Sequence, residues 1–277
     1  MSQSGFDIPS LLKRYGITPK KSLGQNFLIS HSALRQIVQT ANLSREDVVL
    51  EIGAGVGNLT RLLGNQAGRV VAVELDNRML LPLEEVLGGF ENVEIVQGDI
   101  MKLKPGGLGL VAGYKVVANI PYYITSALMR HLLESDPRPS LMVITVQSDV
   151  AKRMCAVPDD MNLLALSIQV YGAPRIVGNI LSSSFYPPPD VDSSIVSIQM
   201  FEQPFLPEEQ LEILFRIAKA GFSQKRKTLR NSLSGGLRLS TADAGKLLNA
   251  SRIDPMRRAE TLSLSEWKAL TEKFLLK

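Results

Sequence analysis

The sequence has one cysteine, Cys155, and only two histidines, His31 and His131. A lone thiol excludes an internal disulfide and a cysteine-rich zinc site; it reads as a packed side chain in a reducing compartment. Two histidines are too few for a histidine-based metal cluster and all but exclude a histidine-dependent triad. No metal is expected. The chain also lacks any apolar run near the roughly 20 residues that cross a bilayer. Lys13 and Arg14 break the opening segment before the apolar core of a signal peptide forms. A cytoplasmic chain with no membrane partner is therefore expected. What remains for chemistry is carboxylates, amides, hydroxyls, aromatic rings and bare backbone.

What is present is an ordinary globular composition: 277 residues, 45% hydrophobic and 21% charged, with a mean hydropathy of +0.07. That length suits one large domain and a small one. The net charge of +4 is unevenly placed. Residues 201–277 carry 14 Lys/Arg against 9 Asp/Glu, whereas the first 200 carry 17 against 18. The basic excess belongs to the C-terminal quarter, and it points to a polyanion as that quarter's partner.

Short apolar runs alternate with helical patterns through the first two hundred residues. "DVVLEIGAG", "RVVAVELD", "NVEIVQGDIM", "YKVVANI" and "LMVITVQ" read as strands rich in β-branched residues and apolar on both faces. Helices are expected from Leu59, in "NRMLLPLEEVLGG", in "SALMRHLLES" and in "MNLLALSIQVYG". "PRIVGNIL" and "SSIVSIQM" close the series as an antiparallel edge. The predicted class is α/β, a doubly wound, mostly parallel, seven-stranded sheet. "EQPFLPEEQ" then reads as a linker, followed by helices only. Pro207 with acids in the first turn opens one of these, and Ser263 three residues before Glu266 gives another a capping-box spacing. The expected domains are residues 1–203 and a small all-helical domain over 207–277.

The first strand runs into Gly53, Gly55 and Gly57, spaced G-x-G-x-G. Glycines there permit a tight turn and let a ligand lie on bare backbone. A dinucleotide site uses G-x-G-x-x-G, and the third glycine is one residue early for it. A nucleoside cofactor without a pyrophosphate fits better. Glu74 ends the second strand, 21 residues after Gly53, at the distance of an acid that accepts from ribose hydroxyls. Asp99 follows the third strand and is placed to accept from an adenine amino group. Each alone is an ordinary turn or cap residue. In order, at three strand ends, they point to S-adenosylmethionine.

"NIPYYIT" ends the fourth strand beside that cofactor. The lone pair of an adenine N6 is delocalised into the ring, so the amine is a weak nucleophile. Two acceptors that take its N–H protons draw the nitrogen toward tetrahedral geometry: the Asn119 side-chain oxygen and the Ile120 carbonyl, the latter fixed in direction by Pro121. Tyr122 supplies an aromatic face for the base. In "SSSFYPPPDVDS" three prolines stiffen the loop, and Phe185 is expected as the second wall of the base pocket, opposite Tyr122. Such a site works by orientation and by polar groups aimed at developing charge. "KAGFSQKRKTLRN" reads as a helix whose basic face (Lys219, Lys225, Arg226, Lys227 and Arg230, with no acid) grips phosphates. Arg252, Arg257 and Arg258 extend it.

Together these stretches resemble the small-subunit (16S) rRNA adenine N6,N6-dimethyltransferases, over nearly the whole chain. "KKSLGQNFL" is similar to that family's N-terminal cofactor lid, within residues 1–30. "EIGAGVGNLT", "VELD", "QGD", "NIPYYIT", "VQSDVAKRM" and "FYPPPDVDSS" follow in the family's order, and "GFSQKRKTLRNSL" resembles its helical-domain signature. The resemblance implies a class I methyltransferase (Rossmann-like) sheet and S-adenosylmethionine as cofactor. It implies dimethylation of N6 on two adjacent adenosines in the 3′-terminal hairpin loop of small-subunit rRNA, late in subunit assembly. The implied partners are that rRNA and the assembling small subunit, and a monomer is expected. By motif match the cofactor contacts fall on Asn26, Leu28, Gly53, Gly55, Glu74, Asp99 and Asn119. The catalytic group is Asn119, Ile120, Tyr122 and Phe185, and RNA contacts fall on Lys225, Arg226, Lys227 and Arg230. Departures are Ile120 for Leu, Asp149 for Glu and Gly221 for Ala. Against this stand a macrolide-resistance-type methyltransferase of large-subunit rRNA, a DNA adenine methyltransferase and a non-catalytic RNA-binding factor. The basic signature, the absence of Pro at Ile120, and the intact site motifs argue against them in turn.

Overall fold

The computed structural model describes residues 7–276, so the first six residues of the expected lid segment, and Lys277, lie outside the described residues. The chain divides into two compact units, Met1–Ala151 with Pro174–Met200, and Lys152–Ala173 with Phe201–Lys277.

In the first unit the β-branched runs become strands: β1 (Val48–Ile52), β2 (Arg69–Glu74), β3 (Val93–Gln97), β4 (Lys115–Asn119) and β5 (Leu141–Gln147). With β6 (Gly172–Ile180) and β7 (Ser193–Met200) they form one seven-stranded sheet in the order β3-β2-β1-β4-β5-β7-β6. The pairs among β1 to β5 are parallel, and β7 runs antiparallel to β5 from Leu141↔Gln199 to Gln147↔Ser193. The expected mixed sheet and its antiparallel edge are thus present. Val49, Leu50, Val70, Val71, Val116, Val117, Val143 and Ile144 are all fully buried, as strands covered on both faces require.

Helices α1 (Ile8–Arg14), α2 (His31–Ala41), α3 (Asn58–Gly64), α4 (Leu80–Leu87) and α5 (Thr125–Leu133) belong to this unit. Ser30 caps α2 through the Ala33 N–H, and the apolar stripe Ala33, Leu34, Ile37, Val38 and Ala41 is buried in the main core. One feature lay outside the sequence reading. Phe27–Leu28 and Phe185–Tyr186 form a two-residue antiparallel ladder, Phe27 opposite Tyr186 and Leu28 opposite Phe185. It joins the glycine-containing lid segment to the proline-rich loop, two stretches separated by more than 150 residues, and no local pattern announces it.

The second unit is helical. It holds α7 (Leu163–Gln169), α8 (Glu208–Phe222), α9 (Leu229–Leu237), α10 (Thr241–Ala250) and α11 (Leu264–Leu275), while α6 (Ser148–Met154) spans the division at Ala151. The linker reading puts the boundary after residue 203. The structure instead groups Lys152–Ala173, and so α7, with the C-terminal helices. The reason is in the backbone: the Phe201 and Phe205 N–H groups donate to Tyr171 and Val170 carbonyls, and the Asp159 and Met161 N–H groups donate to the Glu260 carbonyl. Apolar periodicity marks a buried helix face but not the core it joins.

Two expectations here need correction. "KAGFSQKRKTLRN" is not one helix: α8 stops at Phe222, α9 starts at Leu229, and Lys225, Arg226 and Lys227 stand exposed on the turn between. The Ser223 hydroxyl turns back to the Ala220 carbonyl and competes with the helical ladder. Arg257 is not a free cation either; its guanidinium holds the Glu266 carboxylate and the Thr261 carbonyl. The expected capping box is present, with Ser263 and Glu266 bonded reciprocally.

The departure at Gly221 has a steric cause. A β-carbon there would sit 2.7 Å from the tip of the Trp267 ring and 3.1 Å from a Leu229 methyl. Trp267 is completely buried and cannot give way. Gly221→Ala therefore loses stability despite the better helix propensity of alanine, overpacking at about 1–3 kcal/mol outweighing a gain of about 1 kcal/mol. Thermal unfolding of Gly221→Ala, Trp267→Phe and the double variant checks this. The double variant should lie above the sum of the two losses, and simple additivity would exclude the clash.

Candidate active site

The C-terminal ends of β1 to β4 open onto one cavity, lined among others by Gly53, Gly55, Glu74, Asp99, Asn119 and Tyr122 on one side and by Gly24 to Leu28 of the lid segment on the other. All of these lie in the first unit. Ligands of open α/β sheets bind at this edge, where the strand order reverses between β1 and β4.

The glycine turn takes backbone that only glycine adopts freely. Gly53, Gly55 and Gly57 have φ of 76°, 58° and 88°. A β-carbon on Gly55 would meet the Phe27 ring at 3.0 Å, so this turn is where the N-terminal segment packs on the sheet. Glu74 fastens the turn from below. One carboxylate oxygen accepts from the Gly55 N–H at 2.7 Å and the other from the Asp76 N–H at 2.8 Å. Glu74 is 6% exposed, and burial raises its pKa although these two donors hold it down. The Leu75 N–H also lowers the pKa, and a carboxylate with about four acceptor sites still has capacity for a ligand hydroxyl. Asp99 is half-buried and accepts from the Met101 N–H with one oxygen.

Asn119 ends β4. Its amide NH2 donates to the Asn26 carbonyl at 3.1 Å, which leaves the side-chain oxygen as the atom able to accept from a ligand amine. Ile120 is buried, and its neighbour Pro121 fixes the chain direction. Tyr122 is half-buried; its hydroxyl pairs with the Ser193 hydroxyl at 2.7 Å, and burial raises its pKa, so it stays protonated.

The lid is tied by two further amides. Gln25 donates to Asp76 at 2.8 Å and Asn58 donates to the Leu28 carbonyl at 2.8 Å. Asp76 is in turn held by the Arg78 guanidinium, which keeps its carboxyl down at about 2, and Arg78 reaches the Thr18 carbonyl.

Phe185 is 3% exposed and packs in the main core with Leu28 and Ala33; it is not among the residues that line the cavity, whereas its strand partner Leu28 is. Its strand pairing with Leu28 turns the ring inward, and the exposed member of the pair is Tyr186. Lys225, Arg226, Lys227 and Arg230 belong to the second unit and line no part of this cavity.

Sequence reading missed Glu51. It lies inside β1, 1% exposed, lines the cavity, and has one carboxylate oxygen buried without a partner. The available signal was an acid inside "VVLEIG", a run otherwise apolar up to its glycine. Burial pushes its pKa up to about 8, against the pull of the neighbouring Thr60 hydroxyl and with some help from the Glu74 charge. Between its ordinary 4.5 and 8 the folded chain therefore holds a proton that the unfolded chain has released. Stability falls as pH rises through that window. Glu51→Gln removes this slope: the ligand-free variant should unfold at a higher temperature than wild type at pH 8, and the gap should close toward pH 5. A gap that does not change with pH would exclude a buried acid as its cause.

Comparison with known proteins follows the same lines. The model of the family "Ribosomal RNA adenine dimethylase" matches residues 16–270. "Ribosomal RNA small subunit methyltransferase A" of Dehalococcoides mccartyi strain 195 is 44% identical over 94% of this chain and 90% of its own length. The protein of that name from Pelotomaculum thermopropionicum is 39% identical over 97% and 95%. Among solved structures, a dimethyladenosine transferase from Plasmodium falciparum superposes with a TM-score of 0.78 at 26% identity, covering 90% of this chain and 98% of that one. The 23S rRNA methyltransferase ErmE does so with a TM-score of 0.73 at 26% identity, covering 90% and 99%.

Proposed function

The chain belongs to the ribosomal RNA adenine dimethylase family, and on that premise we propose that its cavity transfers methyl groups from S-adenosylmethionine to N6 of adenosine in ribosomal RNA. The finer reading is small-subunit rRNA, at two adjacent adenosines of the 3′-terminal hairpin loop, each carried to N6,N6-dimethyladenosine as a late checkpoint of subunit assembly in the cytoplasm. Support for the small subunit comes from the names of the relatives in sequence. The adenosine pair and the checkpoint follow from the motif resemblance.

The residues present fit the cofactor. A sulfonium cofactor with an α-ammonium group needs buried acceptors, and the buried Glu51 carboxyl is among the groups lining this cavity. Gly53 and Gly55 of the glycine turn line the cavity, Gly53 with no atom closer than 3.7 Å to where its β-carbon would stand, and Glu74 and Asp99 offer acceptors in sequence along the strand ends. When bound, S-adenosylmethionine supplies a methyl group on positive sulfur, ready for an in-line attack.

The chain's own contribution is to aim the amine. Asn119 and the Ile120 carbonyl accept the two N6 protons, which localises the nitrogen lone pair. Tyr122 lies under the base, its ring angle held by Ser193. The observation that carries this reading is the hydrogen bond from the Asn119 amide to the Asn26 carbonyl, because it commits the NH2 and leaves the oxygen for substrate. The exposed Lys225, Arg226 and Lys227 turn, with Arg230, offers phosphate contacts whose strength falls with salt. Phe185, in the core beside the cavity-lining Leu28, remains the proposed second wall of the base pocket.

Incubation with small subunits lacking the modification and labelled S-adenosylmethionine, beside Asn119→Ala, tests the reading. N6,N6-dimethyladenosine in digested small-subunit RNA is expected from wild type. A loss of roughly 10²-fold is expected in the variant, as for removal of one preorganised polar contact. Label in large-subunit RNA would transfer the assignment to the ErmE type of substrate. Tight subunit binding with no label would favour a non-catalytic assembly factor.

A further inference from the structure

Tyr122 and Tyr123 are consecutive in the single 3₁₀ turn Tyr122–Ile124. With three residues per turn, neighbouring side chains point about 120° apart. Tyr122 turns inward to Ser193. Tyr123 turns outward and is 59% exposed, although it also lines the mouth of the cavity. Its ring is backed by the lid: a β-carbon on Gly24, where φ is +61°, would lie 3.3 Å from one ring atom and 3.4 Å from the next. The ring is thus supported on one side and open to solvent on the other. Lys20 and Lys21 are exposed on the turn that leads directly into Gly24.

A supported, solvent-facing aromatic beside two cations is the combination that binds single-stranded nucleic acid. An adenosine taken into the cavity leaves its neighbour in the strand without a stacking partner. We propose that Tyr123 is the stacking platform for the nucleotide next to the target adenosine, with Lys20 and Lys21 meeting the phosphate between the two. This rests on the reading of the cavity as a site for N6 methylation of an unpaired adenosine. Tyr122 then serves the reacting base and Tyr123 its neighbour. Stacking strength favours a purine on the platform. Two adjacent adenosines satisfy the pair of rings in either arrangement, each resting outside while the other reacts.

The platform holds substrate and transition state alike, so its loss raises KM and spares kcat. With unmodified small subunits as substrate, Tyr123→Ala should raise KM about 10-fold, within the roughly 5- to 150-fold that loss of one base–aromatic stack implies. Cofactor affinity by titration should not change. Tyr123→Phe and Tyr123→Trp should keep the wild-type KM, whereas Tyr123→Leu, of similar apolar bulk, should behave as alanine. Lys20→Gln with Lys21→Gln should flatten the salt dependence of binding, by about 0.7 in log–log slope per lysine for a single strand. An unchanged KM in Tyr123→Ala, or a leucine variant as good as wild type, overturns the platform while wild-type transfer leaves the methylation reading standing. No transfer by wild type to any RNA overturns both.

Discussion

The site depends on one geometric constraint: adjacent parallel strands end on the same edge. β3, β2, β1 and β4 are neighbours, with their pairings parallel. Strands lie about 4.8 Å apart, so four of them span about 14 Å. Across that distance the chain sets Asp99, Glu74, the Gly53 turn and Asn119 in that order. The spatial order differs from the sequence order, because the strands are added outward from β1 first on one side and then on the other. The switch falls between the glycine turn and Asn119, where the proposed cofactor and amine meet. No residue in the row needs a special backbone device except the glycines; the sheet delivers the others.

That row carries an electrostatic cost. Glu51 and Glu74 are nearly fully buried on adjacent strands, and burial pushes both carboxyls up. The two are treated differently. Glu74 is tied by the Gly55 and Asp76 backbone N–H donors. Glu51 keeps an oxygen without a partner. An unsatisfied buried carboxyl is destabilising in a stability sense alone. Next to a positive charge the same group would ionise and gain what it lost.

The sheet was legible because β-branched runs bounded by glycine and acid have few other uses, and the relative order of the motifs supplied the strand ends. Glu74, Asp99, Asn119 and Tyr122 are found lining one cavity, as their positions at strand ends require. What was not legible depended on long-range partners. Phe185 reads as a pocket wall because it precedes three prolines; its pairing with Leu28, which sets it in the core, has no local signal. The α7 segment has a buried face whose core its periodicity cannot name. The basic signature reads as a helix by composition, but the turn at Ser223 interrupts it. Glu51 was overlooked because a single acid within an apolar strand has no spacing partner to mark it.

Dimethylation of one amine takes two transfers, so the cofactor has to be replaced between them, and the lid has to permit it. Its ties suit that demand. The two-residue ladder is far below the three or more strands that hold a sheet on their own. The side-chain bonds from Gln25, Asn58 and Asn119 contribute about 0.5–1.5 kcal/mol each. Leu28, 3% exposed in the main core, anchors one end of the segment, while Gly24 and Gln25 are only half-buried. Opening from Gly24 toward Asn26 breaks a few such bonds and leaves the core intact. It also frees the Asn119 amide from the carbonyl that orients it. On the proposed reading, the Asn119 oxygen is aimed at the substrate amine only while the Asn26 carbonyl holds its NH2, so the orientation of that acceptor depends on the position of this segment.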